Sequence, residues 1–207
     1  MRSLPSRRRF EECCNHCILS NVKPSLVIIG LGNPGKAYER TRHNAGFLAM
    51  DSLVKEFGEG EWEELKKFHA LVCEGRIGTV PVLFVKPQTF MNRSGETVSK
   101  IIEFYKLNPK EQLLVLFDEI DIESGEMRLR MKGGPGTHNG MKSIVERIGE
   151  EFPRIKIGFG PQPKDRDLAT WILSAMTKDE VEEMHKNFSE LPQMLKKFVM
   201  EELQDQE

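Results

Sequence analysis

The sequence predicts an α/β fold: a single-domain three-layer sandwich whose twisted, mixed but mostly parallel sheet carries helices on both faces. Three observations predict it. Short β-branched apolar runs such as "SLVIIGLG" and "LLVLFDE" have the length and composition of buried strands. Segments with apolar residues at helical spacing alternate with those runs, which is the order of a layered α/β protein. The 207 residues, 39% of them hydrophobic, suit one core, and no internal repeat or low-complexity linker divides them.

The elements follow in order. Pro24 opens the regular part, and 25–32 is the first buried strand, stopped at glycine. Residues 44–58 have helical periodicity, with Phe47, Leu48, Leu53, Val54 and Phe57 near one face and Gly58 as a stop. "HALVCEGRIG" and "VPVLFVKP" form a strand pair around Gly78. "ETVSKIIEFYKLN" is a second helix closed by Asn108-Pro109, and 113–119 is a buried strand ending in acids. "EMRLRM" alternates as a strand does, "GMKSIVERIG" is a helix, and "RIKIGFG" is a strand. From Lys178, the residues Val181, Met184, Phe188, Leu191, Leu195 and Phe198 mark one amphipathic helix. Residues 1–23 read as a flexible N-terminal extension, and 24–207 as the α/β domain.

Composition narrows the function. A net charge of -2 gives no global positive field for nucleic acid. Charge is uneven, however. Residues 126–160 carry seven Lys/Arg against four Asp/Glu, and 178–207 carry four against nine, so a basic patch beside an acidic helix is expected. Four cysteines are no disulfide framework for this length, which points to a reducing, cytoplasmic setting. No apolar run approaches a membrane span, the basic N-terminus lacks the apolar stretch of a secretory signal, and Glu11 and Glu12 weigh against a transit peptide. Cys13, Cys14, His16 and Cys17 crowd five positions, too close for all to reach one tetrahedral ion, and no second CxxC pair follows.

Five stretches carry chemistry. "GLGNPG" satisfies G-x-G-x-x-G with Gly30, Gly32 and Gly35, and Asp51 lies about 20 residues on, as a dinucleotide fingerprint asks. The fingerprint also needs a helix that starts at the loop. Here Pro34 and "KAYERTRHN" delay it, and the plainer reading is a turn needing positive φ. "TRHNAGF" sets His43 in a polar segment just before a helix, where α/β folds place catalytic groups. In "KPQTFMNRSG", Asn92 offers an amide beside Phe90 and Met91; alternatively Asn92 or Ser94 caps the next helix. "LFDEIDIESG" brings Asp118, Glu119 and Asp121 to a strand end, as ligands for a divalent cation or, for Asp118, as the orienter of a histidine. "KGGPGTHNGMKSI" is a glycine-rich loop opening a helix, with Lys142 near and without Walker spacing; His138 there is a candidate second base, against the structural reading that is preferred. No G-x-S-x-G elbow is present, and Cys73 lies in a strand-like run, which disfavours covalent serine or cysteine chemistry.

Taken in order, "GLGNPG", "TRHNAG", "KPQTFMNRSG", "DEID" and "THNGMKSI" resemble the bacterial-type peptidyl-tRNA hydrolase family over Leu26 to about Gly160, with a helical tail of the expected kind. The resemblance implies a monomeric α/β hydrolase that needs no metal or cofactor and releases peptide from peptidyl-tRNA. It implies His43 as the general base for water, Asp118 as its partner, and Asn33 on the peptide side. Asn92 and Asn139 would position substrate and water, while Tyr38, Phe90 and Met91 line the cleft. Binding tRNA needs positive surface, and Arg128, Arg130, Lys142, Arg154 and Lys156, clustered near the glycine-rich loop in sequence, are the candidates for phosphate contacts, each against the plainer reading of a solvated charge. Two departures stand out: Thr137 occupies a position usually taken by glycine, with Pro135 near it, and Lys156 stands where arginine is common. The first predicts a stiffer or differently bent loop. The competing readings are a non-catalytic RNA-binding relative of the same fold and an NAD-type oxidoreductase using Gly30, Gly32, Gly35 and Asp51.

Overall fold

The computed structural model describes residues 23–203. The predicted extension and its Cys13–Cys17 cluster lie outside the described residues, except for Lys23.

Seven strands form one sheet in the order β2-β3-β4-β1-β5-β7-β6. They are β1 (Leu26–Gly30), β2 (Glu63–Leu65), β3 (Ala70–Ile77), β4 (Val80–Pro87), β5 (Leu113–Glu123), β6 (Met127–Arg130) and β7 (Arg154–Gly160). The four central strands, β4-β1-β5-β7, run parallel, and β2, β3 and β6 join antiparallel at the two sides. The sheet is therefore mixed, as expected. β1 is buried throughout because it sits between two neighbours and under helices on both faces.

Period-two alternation sorts the core into two layers. Leu26 and Ile28 of β1, with Leu114 and Leu116 of β5, face one side. There they meet α1 (Ala45–Phe57), α5 (Leu168–Ile172), α6 (Lys178–Phe188) and α7 (Leu191–Leu203). Val27, Ile29, Leu113, Val115 and Phe117 face the other side, against α2 (Ser94–Tyr105) and α4 (Asn139–Ile148). The same alternation turns Asp118 toward the first layer, beside the start of α1.

Glycines permit the closest contact. A Cβ at Gly46 would lie 2.3 Å from Leu31 N and 2.5 Å from Leu116 O, and one at Gly30 would lie 2.2 Å from Gly46 O. The first turn of α1 thus rests directly on β1 and β5, which holds the preceding residues over the ends of those strands. Of the three glycines in "GLGNPG", only Gly35 has positive φ, at 106°. Gly30 and Gly32 serve close packing instead, and Phe47 fills the space where a Gly32 side chain would stand.

Several elements differ from expectation. β5 continues to Glu123, so Asp118 and Glu119 lie inside a strand, with a register irregularity between Glu119 and Glu123. Asn108-Pro109 starts the short helix α3 (Pro109–Gln112): the Asn108 side chain accepts from Lys110 N, with proline at the first helical position. α2 has already ended at Lys106, in left-handed conformation. The helix expected from Lys178 is two, α6 and α7, broken at Ser189–Glu190 just before Pro192. β2 and α5 have no counterpart in the sequence reading.

Candidate active site

His43 sits in a single 3-10 turn, Arg42–Asn44, between the loop after β1 and the start of α1. Its Nδ1 lies 3.0 Å from both carboxylate oxygens of Asp118. The side chains are 12% and 3% exposed. A second histidine completes the group: His138 Nε2 lies 3.0 Å from Asp118 Oδ1. The backbone N–H of Met141 donates to His138 Nδ1 at 3.2 Å, so His138 caps α4 with its imidazole. A ring nitrogen that accepts is unprotonated, so the His138 hydrogen is on Nε2 and points at Asp118.

Burial alone would push the Asp118 carboxyl up. Attraction to His138 and His43, with hydrogen bonds from both, outweighs burial and holds it well below the usual carboxylate range. An ionised carboxylate only accepts, so the His43 hydrogen resides on Nδ1 and the lone pair is on Nε2. Nε2 has no hydrogen-bond partner among the described residues.

These groups open on a cleft of about 310 Å³. One side is polar, with His43, Asp118, Thr137, His138 and Asn139; the opposite wall is apolar, with Leu168, Ala169, Ile172 and Leu173 of α5 and its C-terminal turn. Asn33 is joined to the base's turn through Asn44. Asn33 N donates to Asn44 Oδ1, and Asn44 Nδ2 donates to Asn33 O, both at 2.9 Å. Asn33 Oδ1 accepts from Met91 N at 2.8 Å, which fixes the amide and leaves Nδ2 as its available donor among the described residues. Met91, Leu31 and His138 converge over Gly140, where a Cβ would lie 2.6 Å from Met91 Sδ and 3.0 Å from His138 Cε1.

Of the residues expected at the site, His43, Asp118 and Asn139 line the cleft. Asn33 and Met91 are buried behind it. Phe90, 57% exposed, and Asn92 stand at the surface beside Met91; Asn92 caps nothing, since Arg93 holds the cap position and Ser94 Oγ donates to Met91 O. Tyr38 is half-buried, and its carbonyl receives Thr41 N and Oγ1. Lys142 is exposed in the first turn of α4.

Three readings need correction. Arg154 is 1% exposed and spends its guanidinium on the carbonyls of Glu150, Phe152 and Gly134, so it supports the glycine-rich loop from inside and meets no phosphate. In that loop the positive φ angles fall on Gly133 and Gly136, so Thr137 brings no backbone strain. His138, for which both a structural and a second-base reading stood, caps α4 and is bonded to Asp118. The available signal was its place one residue before the helix, at the N-cap position, where a side chain accepts from the first-turn amides. The acids of "DEID" do not gather around one point either. Glu119 pairs with Lys156 at 2.7 Å while Asp118 faces the histidines. The groups with metal-ligand chemistry that do converge are His43, Asp118 and His138, whose ligand atoms lie within 4.8 Å of one another. Their hydrogen bonds account for that approach. Asp51, which a dinucleotide would need, is taken by Lys86 and by Trp62 Nε1.

The fold and this site define an α/β protein with a histidine bonded to a buried carboxylate at a cleft. The model of the peptidyl-tRNA hydrolase family matches residues 27–207, and the chain belongs to that family. A Peptidyl-tRNA hydrolase of Fusobacterium nucleatum is 48% identical over 177 residues, 86% of this chain and 88% of the relative. A chloroplastic Peptidyl-tRNA hydrolase of Arabidopsis thaliana is 46% identical, over 78% of this chain and 56% of its own. The crystal structure of peptidyl-tRNA hydrolase from Acinetobacter baumannii superposes with a TM-score of 0.80 at 35% identity, covering 90% of this chain and 94% of that one.

Proposed function

We propose that the protein hydrolyses the ester between a peptide, or an N-blocked aminoacyl group, and the 3′ ribose of tRNA. The observation that carries the reading is the His43–Asp118 contact at the mouth of the cleft. Asp118 accepts the Nδ1 hydrogen of His43, leaving Nε2 to take a proton from water. The water attacks the ester carbonyl and the carbonyl oxygen gains charge; as the bond to the ribose oxygen then breaks, that oxygen takes the proton held on His43 Nε2 and leaves as the hydroxyl. Asn33 Nδ2, Asn92 and Asn139 are the donors we assign to the substrate carbonyls and the developing oxyanion. Membership of the family and the high coverage by relatives so named support the substrate. Among the described residues Asp51 is paired and the one cysteine, Cys73, is buried in β3, which disfavours a dinucleotide and a cysteine nucleophile.

We further propose that the chain acts as a monomer in the cytoplasm, on its cysteine usage and on the family resemblance. No helix among the described residues is long and apolar enough to cross a membrane.

The test is hydrolysis of N-acetyl-aminoacyl-tRNA beside free aminoacyl-tRNA, with His43→Ala as control. A positioned base contributes about 10²–10⁴-fold, and a loss of that size on the blocked substrate is expected. Near-normal turnover by His43→Ala would overturn the assignment.

A further inference from the structure

Arg42, the residue before the base, is 3% exposed, and a charge so buried must be paired. Its fork meets Glu180 at two points, Nε to Oε1 and Nη2 to Oε2, each 2.7 Å. Nη1 donates to Trp171 O at 2.9 Å, to Ser174 Oγ at 2.7 Å and to Ser174 O at 3.3 Å. The guanidinium carbon stands 4.9 Å over the Trp171 ring. The backbone repeats the link: Met176 N donates to Arg40 O at 2.8 Å, and Thr41 pairs with Ala175 in an antiparallel bridge. Glu180 is itself fixed, because its carboxylate accepts from Thr177 N at 2.7 Å in the capping box that starts α6.

Everything Arg42 holds belongs to one segment, 171–180, and that segment continues the apolar wall of the cleft. Leu168, Ala169, Ile172 and Leu173 face His43 and Asp118 across it, and Leu173 is left 41% exposed at the lip. The wall carries no hydrogen bond to β5 or α4 among the described residues. Beside its apolar packing in the first core layer, its polar attachment is therefore to the turn that carries His43.

We infer that Arg42 is a positioning residue for substrate: by tying Glu180, Trp171 and Ser174 to the turn that bears His43, it fixes the gap between the base and the apolar wall of α5. It touches no reacting atom. The wall presents apolar side chains near the carboxylates of Asp167 and Glu119, so it suits a part of the substrate without phosphate. Loosening the tie lets the wall drift, which weakens binding and leaves proton transfer at His43 intact. Lysine cannot replace Arg42, because an ammonium cannot span both carboxylate oxygens in the plane of a fork.

This inference rests on the hydrolase reading, and the experiment separates the two. Steady-state hydrolysis of N-acetyl-aminoacyl-tRNA is measured for the wild type, His43→Ala, Glu180→Gln and Ser174→Ala, with pH profiles of kcat. Amide hydrogen exchange is followed over 168–180 and over the core strands. Glu180→Gln is expected to raise KM about 10-fold with kcat within about twofold and an unmoved pH profile. Ser174→Ala, which removes one contact, should raise KM less. Exchange should quicken in 168–180 alone. An unchanged KM with quickened exchange throughout the chain would make the contact purely structural and overturn the inference. A fall in kcat with a shifted pH profile would also overturn it, because the tie would then act on the base. If Glu180→Gln does not fold, Ser174→Ala decides by the same two readouts. Failure of the wild type itself to cleave would instead sink the hydrolase reading.

Discussion

His138 Nε2 and His43 Nδ1 share one acceptor: each lies 3.0 Å from Oδ1 of Asp118. The two rings stand 4.8 Å apart, and the second is locked by the Met141 amide and by an edge contact with Phe117. The carboxylate is thus aimed from both sides, and only His43 keeps a free ring nitrogen.

Replacing His138 should therefore separate aim from proton transfer. His138→Ala removes a donor to Asp118 and the side-chain cap of α4. A lost cap costs about 0.5–2 kcal/mol of stability, and a drop of that order is expected in urea unfolding. kcat should fall about 10-fold, well short of the general base's own contribution of about 10²–10⁴-fold. A loss as deep as that of His43→Ala would mean that His138 handles a proton itself.

Asp118→Asn tests the carboxylate. The amide can turn a donor toward His43 Nδ1, which pulls the hydrogen onto Nε2 and removes the base; kcat should fall about 10²–10⁴-fold. The variant also exposes a pH term in stability. The folded Asp118 is held well below the ordinary carboxylate value, so its ionised form stabilises the native state at every pH above the unfolded value near 3.9. That stabilisation is lost as pH falls below about 3.9 toward the folded value. The gap in unfolding free energy between wild type and Asp118→Asn should hold from neutral pH down to that point and then shrink. A gap that stays constant as pH falls below about 3.9 would show Asp118 to be an ordinary carboxylate.

Much of the site was legible because its parts follow two apolar runs of the sequence. "LVIIG" and "LLVLF" declare central strands by composition, and the polar residues at their ends, Asn33, His43 and Asp118, are then brought together by parallel pairing of β1 with β5. What stayed hidden depends on contacts between distant segments. Arg154 and Arg128 look alike in sequence; one is buried under the glycine-rich loop, and the other is exposed beside Glu126. α5 escaped notice because five residues are too few to show a period, although Asp167 capping Thr170 N marks its start. The role of Arg42 is invisible locally, since Glu180 lies 138 residues away.

The two kinds of basic residue should part under salt. Lys142 is exposed at the start of α4, close to the cleft, and a phosphate contact there contributes a counterion term. Lys142→Ala is expected to weaken tRNA binding and to reduce the slope of log affinity against log salt by about 1. Arg154→Met should leave that slope unchanged and act through stability, since it orphans the carbonyl of Phe152 and takes one of three donors from that of Glu150. Fluorescence titration of tRNA at several salt concentrations, beside thermal melts, reads both. A reduced slope for Arg154→Met would return it to the RNA-facing surface.

Gly46→Ala probes the contact that seats the base. The added methyl would meet Leu31 N at 2.3 Å and two carbonyl oxygens, Leu116 O and Leu31 O, at 2.5 Å, all of them backbone. No side chain can rotate away, so α1 must lift from β1 and β5. Overpacking of this kind costs about 1–3 kcal/mol, occasionally more. The lift also displaces Asn44, two residues earlier, whose side chain holds both backbone groups of Asn33. Urea unfolding should show the loss in stability. Turnover of N-acetyl-aminoacyl-tRNA by the fraction still folded should fall about 10²-fold, because a displacement near 1 Å at a reacting group has that effect. Wild-type turnover in a destabilised but folded Gly46→Ala would show that the strand ends, and not the seat of α1, fix the position of His43.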